Sequence, residues 1–282
     1  MSNKIIISSS TLDIIDAAFN EVNELASRAN EFASIAEQKA IEARARYNEL
    51  LAQEGSIDHL LQKTSLLESE LLLILGESKQ ASMKVGTEIR LSNSNSKSDV
   101  WVVAGVNHDG TSGTVDLVSK HMVQDSTKIA YNGQWGFSNK YDDSSIRTWL
   151  NGTFINGFST EIQNALKKME VKTSTSSTGS TGSYDKIKLL SMTEVGLSDS
   201  DFVSIPTLTE GTIYPIFESG NEFNAREKRK KHKVDGTTSH WYWTRTRSNN
   251  STSNTCYVNA EGGANGGAYS DTNGGIVPVI RL

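Results

Sequence analysis

Apolar residues recur in a three–four alternation near the start of the chain: Leu12, Ile15, Phe19, Val22, Ala26, Ala29, Ala33, Ala36, Ala40, Ala43, Tyr47 and Leu50. Few folds accept such a pattern. The spacing averages 3.5 residues, whereas a straight α-helix has 3.6 residues per turn. On a lone helix the stripe would drift off one line, and a supercoiled partner keeps it in contact. No proline occurs between Thr11 and Glu77, and glycine occurs there only at Gly55 and Gly76. We therefore expect a coiled coil whose first helix reaches on the order of 60 Å. Its middle is all alanine, so that section brings helices close but buries little area. Leu25, Phe32 and Ile35 flank the stripe and widen it.

Gly55 breaks this helix and Ser56 is a suitable N-cap for a second one. The second carries Ile57, Leu60, Thr64, Leu67, Leu71 and Ile74 in the same rhythm, with a leucine-rich core. Two arrangements satisfy the pattern: a parallel oligomeric stalk, or a hairpin folded back at Gly55. The stalk is the preferred expectation, as a homo-oligomer and by preference a trimer, although alanine does not select the number of strands.

After Gly76 the helical rhythm stops. Short strand-like runs follow at Val100–Val106, Gly113–Ser119 and Ile187–Met192, separated by turn signals such as Asp109-Gly110 and Asn132-Gly133. "VWVVAGV" has no polar face, so that strand should be buried on both sides. Two helices are expected. One follows a cap at Ser144 or Ser145 and buries Ile146, Trp149 and Leu150. The other follows Ser159 and presents Ile162, Leu166 and Met169. "TSTSSTGSTGS" (Thr173–Ser183) reads as a mobile low-complexity loop. The expected fold class is α+β, with a helical region over 1–80 and a mixed domain over 85–282.

Chemistry for catalysis is sparse. His59, His108, His121, His232 and His240 are scattered, with no metal-binding His pair at helical spacing. No phosphate-binding glycine loop and no Gly-x-Ser-x-Gly turn occurs. Asp109 and Asp116 flank a turn that would hold calcium loosely at best, and a plain turn is the preferred reading; the "SDSD" run at Ser198–Asp201 is read the same way. We expect no enzymatic activity, no cofactor and no metal. "REKRKKHK" (Arg226–Lys233) is a dense basic run suited to an anionic polymer, but a solvated helix or loop is the commoner role. Net charge is −5, which recruits neither nucleic acid nor an anionic membrane. The single cysteine, Cys256, excludes an internal disulfide and a Cys-rich zinc site. No signal-peptide core opens the sequence, and the apolar run Leu71–Leu75 is too short to cross a bilayer.

The stretch from Trp241 to Leu282 starts with "WYW", ends with "IVPVI", and is rich in Asn, Ser, Thr, Gly and Tyr between them. Alternation places Cys256, Val258 and Ala260 on one side of a strand and Tyr257 and Asn259 on the other, while Ala268 and Ser270 oppose Tyr269 and Asp271. Gly262-Gly263 and Gly266-Gly267 mark turns. Apolar segments at both ends imply a folded surface, with "IVPVI" closing its sheet, and not a disordered tail.

"WYWTRTRS…YVN…G…NGGIVPVIRL" resembles bacterial and phage domains of C-type-lectin-like fold, whose C-terminal part runs Trp-Trp-Leu-Arg-Ser, a polar variable stretch, then Gly-Val-Arg-Pro-Val-Ile-x-Leu. "VWVVAGV", "LVSKHMV", "SSIRTWLNGTF" and "IKLLSMTEV" are similar in order, so the resemblance covers most of 85–282. Val277 stands where that pattern has Arg. The resemblance includes the variable proteins of diversity-generating retroelements, whose binding positions are rich in Asn, Ser, Thr and Tyr. The motifs of calcium-dependent sugar binding are absent, as is the cysteine pair of the related formylglycine-generating enzymes. The resemblance implies ligand contacts at Arg245, Arg247, Asn249, Asn250, Asn254, Tyr257, Asn259, Asn265, Tyr269, Asp271 and Asn273. Tyr supplies contact area at low entropy cost, Asn adaptable hydrogen bonds, and Arg a clamp for carboxylate or phosphate. Trp241 and Tyr242 would stack on sugars, and Trp243 would lie in the core.

These readings lead to a phage tail-tip or tail-fibre protein that binds a bacterial cell-surface receptor, polysaccharide or protein, through its C-terminal head. It would be made in the host cytoplasm and carried in the virion, beside other tail and baseplate proteins, without membrane insertion. The alternative is a structural baseplate or fibre component whose head docks on other virion proteins.

Overall fold

The structure, a computed structural model, describes residues 9–54, 57–124, 140–174, 180–197, 210–219, 221–249, 253–269 and 273–282. It is mixed α+β: a long N-terminal helix, then a β-rich region. The chain divides into two units, Met1–Ser56 and Ile57–Leu282.

The first unit is helix α1 (Ser9–Glu54), 46 residues long, or about 69 Å. Every position from 10 to 46 is exposed. The apolar stripe therefore stands uncovered in the single chain: Phe19 is 66% exposed and Phe32 71%. Ile15, Ala18, Phe19 and Val22 line a shallow apolar groove along it. Gly55 and Ser56, the expected break and cap, lie outside the described residues.

The second helix expected from Ser56 is not continuous. In its place stand α2 (Ile57–Leu60), strand β1 (Ser65–Leu67) and α3 (Glu68–Gly76). β1 pairs in parallel with β2 (Glu88–Arg90), which turns Leu66 inward and leaves Leu67 56% exposed. A helical seam would have done the reverse. Leu60, Leu71 and Ile74 enter the core of the second unit. Glu68 ties α3 to it, accepting from Ser159 Oγ at 2.5 Å and from the Ser92 N–H at 3.1 Å. Residues 57–76 thus belong with the β-rich unit, and the boundary expected between 80 and 85 falls at Ser56.

Next come β3 (Val100–Val106), β4 (Val115–Ser119), α4 (Ser145–Trp149) and α5 (Thr160–Ala165). The Ser144 hydroxyl caps α4 by accepting from the Arg147 N–H, and Ser159 caps α5 by accepting from the Ile162 N–H. α5 is shorter than expected. Leu166 is extended and the Lys167 N–H turns to the Arg281 carbonyl, 2.9 Å away. Met169 therefore opens a strand, β5 (Met169–Ser174), which pairs with β6 (Ser180–Asp185) at six positions. The low-complexity stretch expected as a loop supplies part of this hairpin, and its residues 175–179 lie outside the described residues. Then follow β7 (Ile187–Leu189), α6 (Glu222–Arg229), β8 (Lys231–His232), β9 (Ser239–His240), β10 (Tyr242–Arg247), β11 (Asn254–Val258), β12 (Ala264–Tyr269) and β13 (Pro278–Arg281).

The main sheet runs β1-β2-β3-β4-β13-β7, with every pair after β1–β2 antiparallel. β3, β4, β13 and β7 bury both faces. Trp101, Val103, Leu117 and Ile280 point into a core closed by α3, α4 and α5, while Val102, Ala104, Val118 and Val279 point into a second core with Tyr214, Tyr242, Cys256 and Val258. β13 lies between β4 and β7. Pro278 is its first residue, where a missing N–H does least harm to the ladder.

Two ion clusters cross these layers. Glu194 is fully buried and accepts from both terminal nitrogens of Arg245, at 2.5 and 2.8 Å, and from Lys188 Nζ at 2.7 Å. Burial alone would raise its carboxyl, but Arg245 and Lys188 outweigh it and hold it at about 2. Asp116 is also fully buried. It takes a bidentate pair from Arg281, at 2.6 and 2.7 Å, and the Tyr214 hydroxyl at 3.0 Å. The loose calcium role weighed for Asp116 gives way to this internal pair. Glu194→Gln leaves Arg245 and Lys188 buried without their counter-charge, so we expect a loss of about 3–5 kcal/mol in denaturant unfolding. Glu194 is depressed from its ordinary 4.5, so its contribution is complete above pH 4.5 and fades as pH falls through about 2. That part of the acid sensitivity should be missing from the variant.

Candidate functional site

β10, β11 and β12 form a three-stranded antiparallel sheet over the second core. The expected alternation sets its inner side: Tyr242, Cys256 and Val258 are fully buried, whereas Tyr257 is half-buried. The segment expected to close this sheet does not join it as a strand, because β13 lies inside the main sheet. Contact passes through Gly275. Its carbonyl accepts from the Trp243 N–H at 3.0 Å, and its N–H donates to the Trp241 carbonyl at 3.2 Å. The polar stretch is thereby held between the two sheets.

An aromatic group forms at this junction. Trp241 stacks on His240, lies 4.9 Å from Tyr257, and meets the buried Trp243 edge-on at 5.0 Å, centroid to centroid. Gly274 makes this closeness possible: a Cβ there would lie 2.3 Å from Trp241 Cζ3 and 2.6 Å from Trp243 Nε1. Tyr257 is register-paired with Trp243 on one side and Asn265 on the other, so aromatic and amide side chains share a face. Trp243 is core, as expected. Tyr242 is not a stacking surface, for it is fully buried and donates its hydroxyl to the Arg229 carbonyl at 3.1 Å.

The expected contact residues separate into distinct groups. Arg245 is withdrawn from any ligand: it is 1% exposed, and its five N–H groups go to Glu194 and to the carbonyls of Lys172, Leu189 and Glu210. The carboxylate it clamps is the protein's own. Asn259 builds a turn, its side-chain oxygen accepting from the N–H groups of Glu261 and Gly263. Asn265 and Asn273 are exposed, and Arg247, Asn249, Asn254 and Tyr257 are half-buried. Tyr269 ends β12 opposite Asn254. Asn250 and Asp271 lie outside the described residues. The structure thus brings Tyr257 and Asn265 together beside Trp241 and His240. Sequence reasoning passed over His240, which carries no motif.

Other features compete less well. A polar cavity of about 460 Å³ is lined by Asp109, Glu170, Lys172, Glu194, Thr212 and Arg245, but the Glu194–Arg245 pair in its wall is engaged within the fold. Among the described residues no group of three or more His, Cys, Asp or Glu side chains converges to hold a metal; the "SDSD" run lies outside them. Burial pushes the Cys256 thiol up to about 12, which leaves it unreactive. Among the described residues no helix is long and apolar enough to cross a membrane.

The basic run is not one patch. Arg226 and Lys228 on α6 are exposed, whereas Arg229 and Lys231 are buried. Arg229 donates to the Gly262 carbonyl at 2.7 Å. Lys231 Nζ donates to the Ser119 carbonyl at 2.8 Å and lies 5.9 Å from the Phe217 ring centroid. Burial first, and Lys120 second, draw its ammonium down to about 7.

Residues 112–282 match the family DUF6273, described as a domain of unknown function, and the chain belongs to that family. The matched part contains both ion clusters and the three-stranded sheet, but not α1 or β1–β3. No curated protein and no solved structure matches the chain.

Lys231 generates a pH prediction. Its folded value lies below the ordinary 10.5, so between pH 7 and 10.5 the unfolded chain binds more protons and stability rises with pH; below 7 the penalty is complete. Lys231→Met removes the charge while retaining length. We expect a higher Tm than the parent at pH 6–7 and a flatter Tm profile between pH 7 and 10. Parallel profiles in thermal melts would contradict this.

Proposed function

We propose that this chain is the receptor-binding protein of a phage tail or tail-like particle. In this reading α1 joins copies of the chain in a coiled coil, taken as a trimer, and the β-rich unit is a C-type-lectin-like head that binds a bacterial cell surface. The observation that carries it is the surface of β11 and β12: half-buried Tyr257 against Trp241, with exposed Asn265 as its cross-strand partner, on a sheet whose other side buries Tyr242, Cys256 and Val258. Aromatic and amide groups on a rigid scaffold are the chemistry of adaptable recognition. The uncovered stripe of α1 supports the oligomer, since a helix exposed at every position from 10 to 46 gains stability from packing far more than from propensity. The sequence resemblance supplies the phage context and is an analogy.

The competing reading makes the chain a structural baseplate or fibre part. In it the β-rich unit docks on other virion proteins, and the uncovered stripe of α1 serves attachment equally.

Two measurements test the proposal. Sedimentation equilibrium should give a multiple of the 30.8 kDa chain mass, and Ile15→Ser with Phe19→Ser should lower it. The full chain should bind intact cells of some strains in a bacterial panel. The seam double variant should bind them roughly 100-fold more weakly, because avidity is lost. An oligomer that binds no strain would favour the structural role, and a monomeric parent would remove the stalk.

A further inference from the structure

We infer that the ligand of this surface is a neutral polysaccharide, with a pyranose ring seated on Trp241 and Tyr257 and its hydroxyls meeting Asn265; this rests on the receptor-binding reading and names its ligand class. A pyranose presents a patch of C–H groups on its face and hydroxyls around its rim. The patch suits an aromatic face, and each hydroxyl needs a donor or acceptor in place of the water it loses. The structure supplies both side by side. Trp241 and Tyr257 are half-buried with centroids 4.9 Å apart, and Asn265, exposed, is the cross-strand partner of Tyr257. An amide offers two donors and an acceptor, which matches hydroxyls that both donate and accept.

Three observations choose this class over others. First, the guanidinium of Arg245, on the same strand as Trp243, is spent on Glu194 within the fold, so it offers no clamp to an anionic group. Second, a protein partner is expected to meet an apolar patch that becomes the dry centre of the interface. Among the described residues the strongly exposed large apolar side chains of the second unit are Leu67, Val85, Tyr184 and Phe223, and none of these four lies on these strands. Third, the platform is set before binding. Trp241 stands edge-on against the buried Trp243, its carbonyl is held by the Gly275 N–H, and the Gly274 backbone lies against its ring. Little ordering remains to be done when a ring docks, which suits the weak single contacts that a repeating polymer multiplies.

The test uses the full chain, Tyr257→Ala and Asn265→Ala. Asn265 is exposed on an edge strand, so its variant keeps the fold even if loss of Tyr257 loosens the packing around Trp241. Each protein is applied to the bacterial panel before and after treatment of the cells with periodate, which cleaves sugar diols, or with proteinase K. Each is also titrated with dextran, mannan, galactan and chitin oligosaccharides while tryptophan emission is followed. We expect cell binding that periodate abolishes and protease leaves intact, and at least about tenfold weaker binding by each variant. Protease-sensitive, periodate-resistant binding overturns the sugar inference but leaves the receptor reading standing. A polysaccharide bound in solution by a chain that binds no cell keeps the sugar site and removes the receptor role. Binding to neither removes both, and sugar binding untouched in both variants moves the site off this platform.

Discussion

The pairing of Arg245 with Glu194 sets the position of almost everything that matters on the C-terminal surface. Neither group has access to water, so each depends on the other and on the carbonyls of Lys172, Leu189 and Glu210 around the guanidinium. Such a pair adds little net stability against an apolar substitute, yet it is severe on any arrangement that separates its partners. That asymmetry gives it directional force. It fixes β10 against the segment after β7 and the end of β5 together, and β10 carries Trp243, with Trp241 just before it. The second pair, Asp116 with Arg281, does the same for the C-terminal strand, holding β13 against β4. The surface around Trp241 and Tyr257 is therefore located by charges that never reach solvent.

Much of this scaffold was legible in the sequence. "VWVVAGV" has no polar side, and β3 is buried on both faces. Ser144 and Ser159 are caps because a hydroxyl before an apolar helical rhythm has orphan N–H groups to satisfy. What escaped was decided by partners far along the chain. Leu67 has the spacing of a helical seam, but strand pairing with Glu88–Arg90 buries Leu66 instead. "IVPVI" reads correctly as a strand, while its neighbours, β4 and β7, cannot be read from the segment itself. Met169 continues a helical rhythm until the Arg281 carbonyl captures the Lys167 N–H.

The candidate site was legible in composition more than in detail. The outward setting of Tyr257 was readable because strand alternation is local, whereas Asn265 entered only through the resemblance, and its pairing with Tyr257 depends on the β11–β12 register. Arg245 was misassigned for a physical reason: a guanidinium in a polar stretch has the same chemistry whether its carboxylate is foreign or its own, and Glu194 lies 51 residues away. Asn259 was misassigned because the side chain that suits a ligand hydrogen bond also suits a turn, and the Gly262-Gly263 pair beside it turns the choice toward the backbone. The basic run was read as a solvated helix or loop, and Arg226 and Lys228 on α6 are exposed, but Arg229 and Lys231 turn inward, so the run forms no single patch.

The two units differ in how far each satisfies itself. In the β-rich unit β3, β4, β13 and β7 are covered on both faces, the buried Glu194 and Asp116 are paired with Arg245 and Arg281, and the surface at Tyr257 and Asn265 is aromatic and amide. A surface of that kind is stable in water and exchanges water for a ligand at small cost. Helix α1 is the opposite. Its residues from 10 to 46 are exposed, and they include Phe19, Val22, Leu25 and Phe32 at 59–71% exposure. Such a helix gains by packing against a partner, and its alanine stretch limits how much each pairing gains per turn. In the proposed reading, assembly is the demand of one unit and recognition the capacity of the other, and a modest site on the β-rich unit becomes effective to the degree that α1 gathers copies of it.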